Sequence, residues 1–143
     1  MIYRLFLDSS VLFAAAYSNR GHAHDLILMG IRNQVTLVMS KLVLEETRRN
    51  LAASAPESLP VLERLIDNLS IEIVQPSRDE VLAAAQFTAL KDAPILAAAH
   101  IANVDILVTL DQKHLLGKPD LETYAHAVIQ TPGEAYRKII EAA

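Results

Sequence analysis

The chain has 143 residues, of which 52% are hydrophobic and 21% charged, and its formal net charge at pH 7 is −4. This composition predicts one folded domain over residues 1–143 and excludes a disordered protein. The absence of cysteine excludes disulfides and thiolate chemistry, and the lack of a signal peptide or a long apolar run predicts a cytoplasmic protein without membrane contact. The negative net charge argues against a broad basic surface that binds duplex nucleic acid, but it does not exclude a local strip of basic residues.

Short apolar runs alternate along the chain with segments whose apolar residues recur at helical spacing. The apolar runs predict buried strands at residues 2–7, 35–39, 71–74, 106–110 and 127–129. The other segments predict helices at residues 10–17, 24–33, 41–53, 57–68, 78–90, 93–102, 112–115 and 132–140, with a loop at 117–119. The predicted helix caps are Ser40, Ser77 with Glu80 in a capping box, and Thr131 before Pro132. This alternation predicts a three-layer α/β/α fold around a mainly parallel sheet.

Acidic residues stand where the predicted elements meet. Asp8 ends the first strand, Asp111 ends the fourth, and Asp92 begins the helix before the fourth strand, while Glu45 and Glu46 lie early in the helix after the second. Right-handed crossovers bring the carboxyl ends of parallel strands to one edge of the sheet. Carboxylates that share an edge require a cation or shifted pKa values, and oxygen ligands favour Mg²⁺ or Mn²⁺. The pattern predicts a metal-activated water that attacks a phosphodiester.

Each of these acids also has a structural interpretation. Asp8 and Asp92 can cap helices, and Asp92 stands close before a proline, which is itself a helix-start signature. Asp111 can be a turn residue, and a glutamate on a helix such as Glu46 is usually solvated. Glu45 can form a surface ion pair four residues on, with Arg49.

Other polar residues give weaker signals. The five histidines show no ligand spacing, so most of them are expected to be solvated or satisfied in the core. A haloacid-dehalogenase-type phosphatase would need an acid two residues after Asp8, where this chain has Ser10, and no phosphate-binding glycine loop is present. Four cations flank the acids and can hold the phosphates of a nucleic acid, or can simply solubilise the surface: Lys41, Arg49, Lys91 and Lys113.

Four segments, taken in order, resemble the motifs of PIN-domain ribonucleases, in particular the VapC-like toxins of bacterial toxin–antitoxin pairs. They are Phe-Leu-Asp-Ser-Ser-Val-Leu at 6–12, Ser-Lys-Leu-Val-Leu-Glu-Glu at 40–46, Lys-Asp-Ala-Pro-Ile-Leu-Ala-Ala-Ala at 91–99 and Val-Thr-Leu-Asp-Gln-Lys-His-Leu at 108–115. In the second motif the acid falls six residues after the serine, which selects Glu46. The chain departs from the pattern at Leu110, where related sequences often have glycine.

The resemblance implies a five-stranded sheet, Mg²⁺- or Mn²⁺-dependent cleavage of single-stranded RNA, and a small antitoxin partner. The catalytic residues it implies are Asp8, Glu46, Asp92 and Asp111, with Ser10 and Thr109 in support; the metal ligands are Asp8, Asp92 and Asp111. Apolar helices at residues 22–33 and 57–69 add the expectation of a homodimer. The alternative is a PIN-like RNA-binding or assembly module with weak catalysis.

Overall fold

The structure is a computed structural model that describes residues 1–143. Five strands and eight helices follow one another along the chain, and a short 3₁₀ turn at Pro56–Ser58 precedes the fourth helix. The elements are β1 (Arg4–Leu7), α1 (Ser9–Tyr17), α2 (His22–Ile31), β2 (Thr36–Ser40), α3 (Lys41–Ser54), α4 (Leu59–Asp67), β3 (Glu72–Val74), α5 (Arg78–Ala84), α6 (Ala93–Ala102), β4 (Ile106–Val108), α7 (Pro119–Ala125), β5 (Val128–Gln130) and α8 (Pro132–Ala142).

The strands form one sheet in the order β3-β2-β1-β4-β5, and every neighbouring pair is parallel. The chain starts in the middle of the sheet, runs outward through β2 and β3, and returns on the other side of β1 through β4 and β5. Leu7 pairs in register with Val108, so the carboxyl ends of β1 and β4 lie side by side. The strand order reverses between these two strands, where open α/β sheets form their ligand crevices. The predicted fold class is confirmed.

Helices cover the sheet in two layers. On one side α1 contacts α2, α3 and α4, and α2 contacts α8; on the other side α6 contacts α5 and α7. The sheet between them is buried on both faces: Leu5, Phe6 and Leu7 of β1 have no exposed surface. A strand buried on both faces needs apolar residues at consecutive positions, which is why β1 is a continuous apolar run.

The predicted caps form. The Ser40 hydroxyl accepts the Val43 N–H at 3.2 Å at the start of α3. Both Ser77 and Thr131 form capping boxes with a glutamate three residues later, at the starts of α5 and α8. These caps set where the helices after β2, β3 and β5 begin, at the edge of the sheet that carries Asp8.

Most predicted bounds shift by one or two residues, as where β4 ends at Val108 and not at residue 110, and three predictions are wrong by more. The helix expected at residues 78–90 ends at Ala84, and the following tighter turns place Phe87 against the ring of Tyr124 at 4.7 Å. Residues 112–115 form only hydrogen-bonded turns, and the loop expected at 117–119 ends in α7, which begins at Pro119 and was not expected. None of the helices combines the length and the apolar composition needed to cross a bilayer.

Candidate active site

Asp8 lies at the carboxyl end of β1 and is only 6% exposed. Its main-chain N–H donates to the Val108 carbonyl at 3.2 Å, which extends the β1–β4 pairing by one residue. Its Oδ1 accepts the Val11 N–H at 3.3 Å and so caps α1. A carboxylate has enough lone pairs to cap a helix and still take part in a site, so the cap does not exclude the functional interpretation.

Two hydroxyl groups connect Asp8 to the turn after β4. Ser10 donates its hydroxyl to Asp8 Oδ1 and accepts the Leu110 N–H at 3.1 Å. Thr109 is fully buried; it donates to Asp8 Oδ2 and accepts the Asp111 N–H at 3.0 Å. Because each hydroxyl both donates and accepts, Asp8 holds the turn that carries Asp111. Ser10 and Thr109 thus contact Asp8 directly.

Burial raises the pKa of Asp8 above its ordinary value of 3.8. The hydrogen bonds from Ser10, Thr109 and the main chain oppose this shift because they stabilise the carboxylate, but desolvation is the largest effect. The ionised form of Asp8 is therefore costly in these surroundings, and a cation nearby would offset that cost.

Asp92, Asp111 and His114 form a group of possible ligands, because one ligand atom from each lies within 4.8 Å of the others. Asp111 Oδ1 accepts the His114 N–H at 2.9 Å, and Asp111 Oδ2 is 3.3 Å from His114 Nδ1. Asp92 precedes α6 without making a side-chain cap bond, and its Oδ2 is buried with no hydrogen-bond partner. Buried polar atoms are nearly always satisfied, so this oxygen fits a cation ligand.

Glu46 is linked to the segment that follows β1. The Ser9 hydroxyl donates to Glu46 Oε2 at 3.2 Å, and Glu46 is half-buried whereas Glu45 is exposed. Of the two glutamates, Glu46 is therefore the one beside the end of β1, in agreement with the motif spacing. Neither Glu46 nor Asp8 belongs to the group within 4.8 Å.

The four cations proposed for RNA contact are all exposed, and none forms an ion pair: Lys41, Arg49, Lys91 and Lys113. The predicted pair between Glu45 and Arg49 is therefore wrong. The neighbouring Arg48 instead binds Glu63 of α4 through two nitrogens, at 2.7 and 3.2 Å. A guanidinium favours such two-point contact with a carboxylate over a single surface contact along its own helix.

His114 is a candidate site residue that the sequence interpretation missed. The signal was its position three residues after Asp111, which places both side chains on one turn. Ser9 was missed as well, because its contact with Glu46 joins residues 37 positions apart. Leu110 does not have a positive φ, so this turn forms without the glycine that related sequences often have there.

The fold and the site together define an α/β domain that gathers acidic side chains at the switch point of a parallel sheet. The PIN domain, as a sequence family, matches residues 5–116, and the chain belongs to the PIN domain family. PIN domains are generally nucleases. The resemblance drawn from the four motifs is confirmed at this level.

Solved structures agree with the assignment. The crystal structure of PAE2754 from Pyrobaculum aerophilum matches with a TM-score of 0.68 and 19% identity, over 97% of this chain and 90% of that chain. VapBC2 from Rickettsia felis, bound to a DNA fragment from its promoter, matches with a TM-score of 0.63 and 15% identity, over 90% of this chain and 98% of that chain. At these identities the likeness establishes the fold alone. No curated protein matches the sequence significantly.

Proposed function

We propose that the chain is a metal-dependent endoribonuclease that cleaves single-stranded RNA, and that it is the toxin of a toxin–antitoxin pair. The observation that carries the proposal is the buried Asp92 Oδ2, which has no hydrogen-bond partner and stands in the same group as Asp111 and His114. A nuclease centre in a PIN domain needs a cation, and this oxygen is the group whose surroundings fit one best.

The donor set favours a hard divalent ion. Asp92 and Asp111 supply carboxylate oxygens, which suit Mg²⁺ and Mn²⁺, and the imidazole of His114 is better tolerated by Mn²⁺ than by Mg²⁺. Asp8 is the third carboxylate that we propose as a metal ligand, because its Oδ2 accepts only the Thr109 hydroxyl and keeps a lone pair. A bound ion of this kind lowers the pKa of a water and neutralises charge on a phosphodiester oxygen.

Three further side chains, those of Ser10, Thr109 and Glu46, contribute to the proposed metal site. Ser10 and Thr109 donate to the Asp8 carboxylate and accept the N–H groups of the turn that carries Asp111, so they connect the two. Glu46 is held by Ser9 at the same edge and is proposed as the carboxylate that orients the attacking water or accepts its proton.

The proposed substrate is single-stranded RNA, because a net charge of −4 argues against the broad basic surface that a duplex needs, whereas unpaired cations flank the acidic residues. The residues that we assign to phosphate contacts are Lys41, Arg49, Lys91 and Lys113.

The proposed protein partner is a small antitoxin, and the likeness to a VapBC2 complex supports it. A small antitoxin would cover the acidic edge, and an arginine from it would pair with the carboxylates. A homodimer, which we also propose, is tested by light scattering at micromolar concentration; a monomer would refute it.

Incubation of a mixed RNA pool with the protein and Mn²⁺, with and without chelator, tests the activity. We expect cleavage that chelation stops and that Asp111→Asn abolishes. Asp67→Asn is the matched control, because Asp67 is an exposed acid at the end of α4, outside the site. Cleavage that survives both chelation and Asp111→Asn would show a different chemistry. RNA binding without cleavage under any metal would favour the alternative, a PIN-like binding or assembly module.

A further inference from the structure

A groove of about 340 Å³ runs beside the acidic edge, between the α1–α2 connection, the turn after β4 and the start of α8. We call it the side groove; its wall includes Tyr17, Arg20, Gly21, His22, Leu110 and Thr131. Its volume lies within the range of about 300–1,000 Å³ that is usual for small-ligand sites. The groove is therefore large enough for one nucleotide.

The side groove adjoins the proposed centre at Leu110. This residue is the chain neighbour of Asp111, its N–H donates to Ser10 Oγ, and its side chain is exposed on the groove wall. An RNA strand whose phosphodiester lies at Asp111 needs room for its adjacent nucleotides, and the turn at Leu110 is one side of that position. The side groove lies next to that turn.

The chemistry of the wall matches a nucleotide. Tyr17 is 62% exposed, and its ring stacks on Phe13 with a ring distance of 5.9 Å and an angle of 20°. Exposed aromatic rings of this kind are platforms for unpaired bases. Only 5% of the residues are aromatic, so few positions other than Tyr17 could stack on a base.

The charged residues around the side groove also favour the binding of a phosphate. No carboxylate lines it, and the guanidinium of Arg20 has no ion-pair partner. In a protein of net charge −4, a cleft with a free cation and no acid selects an anion. The main chain at the start of α2 adds N–H groups that no side chain caps. The ring of His22 is 3.2 Å from Asp25, so a carboxylate lies behind this part of the wall, and Arg20 is the cation on which the argument rests.

We propose that the side groove binds the nucleotide next to the cleaved phosphodiester, with its base stacked on Tyr17 and a phosphate beside Arg20. This inference rests on the proposed function, since it names a substrate subsite of the same centre. Under this proposal Tyr17 and Arg20 bind RNA but do not contact the metal ligands. The class of ligand is a single-stranded nucleic acid with an unpaired base.

Binding of a short labelled single-stranded RNA, measured by fluorescence anisotropy with chelator present so that metal-dependent cleavage is stopped, tests the proposal. Tyr17→Ala should weaken binding about 5- to 100-fold, and Tyr17→Phe should bind like the wild type because it keeps the ring. Arg20→Ala should lower the slope of log affinity against log salt by about 0.7, the value for one lost phosphate contact on a single strand. Arg20→Lys should restore that slope.

The chain offers matched controls. Phe87 is an exposed aromatic that packs against Tyr124 at a tilt of 35° on the opposite side of the sheet, and Arg64 is an exposed cation of α4. Phe87→Ala and Arg64→Ala should leave RNA affinity unchanged. A series of RNAs with one abasic residue at each position sharpens the test: at one position the abasic penalty should match that of Tyr17→Ala, and the two together should cost no more than either alone.

The outcomes separate this inference from the proposed function. Metal-dependent cleavage together with wild-type RNA affinity in Tyr17→Ala and Arg20→Ala would overturn the subsite, leave the nuclease intact, and point to a protein partner in the groove. RNA binding that depends on Tyr17 and Arg20 in a protein that cleaves no RNA would support the side groove as a binding site for an unpaired nucleotide, and would overturn both the nuclease and the placement of that site beside a cleaved phosphodiester. If the wild type binds no single-stranded RNA under chelation, the subsite is overturned, and the nuclease is overturned as well only if no RNA is cleaved in Mn²⁺.

Discussion

Asp92→Asn separates the two interpretations of Asp92, as helix cap and as metal ligand. Asparagine has nearly the same shape and caps a helix as well as aspartate, but it carries no charge. In the structure the Asp92 side chain makes no cap bond, and its Oδ2 is buried without a partner. Without metal, we therefore expect Asp92→Asn to keep or raise the Tm, because repulsion with Asp111 falls.

The expected rise in Tm follows from the fact that the ion binds only the folded state. At a hundredfold excess over its Kd, an ion adds about 2.7 kcal/mol to the free energy of unfolding. For a chain of this size that corresponds to a rise in Tm of roughly 5–11 °C. Asp92→Asn should lose most of this rise. Asp92→Ala should cost less than the ~1 kcal/mol of a typical lost cap, since there is no cap bond to lose.

The assay is a thermal melt with and without Mn²⁺, accompanied by RNA cleavage. Asp67→Asn removes an equal charge at the exposed end of α4 and should keep the full rise in Tm. If Asp92→Asn shows the full Mn²⁺-dependent rise and full cleavage, Asp92 is not a ligand. If it melts far below the wild type without metal, the side chain has a structural role that its missing cap bond does not account for.

Three further predictions concern other parts of the molecule. The hydrogen bond from Arg4 lowers the pKa of Glu72 below 4.5, so its stabilisation is present above pH 4.5 and is lost as the pH falls through the lowered pKa. Glu72→Gln should flatten the acid limb of a curve of urea midpoint against pH; an unchanged curve would contradict this. Gly30→Ala would place a Cβ 2.5 Å from Leu37 Cδ1 and should cost about 1–3 kcal/mol in urea unfolding, whereas a neutral result would show that Leu37 moves freely. His114→Ala should weaken Mn²⁺ binding roughly 10- to 100-fold in a calorimetric titration, and unchanged affinity would remove His114 from the site.

The fold was predictable because its determinants are local. A strand covered on both faces must be apolar at consecutive positions, and β1 shows this directly in the sequence. Capping boxes such as that of Ser77 involve residues three apart, so they too can be identified without tertiary structure. The handedness of parallel crossovers then leaves few arrangements for strands that alternate with helices.

The end of α5 and the existence of α7 depend on tertiary contacts. Residues 85–90 have no sequence signal that ends a helix, yet the chain turns after Ala84 and packs Phe87 on Tyr124 of α7. The segment after Pro119 is short, and only seven residues are helical. Local propensity is weak over such a length, so stacking between α7 and its neighbours decides the conformation.

The Asp8 carboxylate depends both on local contacts, which the sequence shows, and on tertiary contacts, which it does not. Asp8 Oδ1 contacts Ser10 and Val11, which lie within one turn of chain, so this half of its surroundings is visible in the motif. Asp8 Oδ2 accepts from Thr109, 101 residues away, and that bond exists only when β4 lies beside β1. The same hydroxyl holds the N–H of Asp111. The acidic edge therefore forms only when the middle of the sheet forms, and an ion that binds there would bind the folded chain alone and stabilise the β1–β4 pairing on which its own ligands depend.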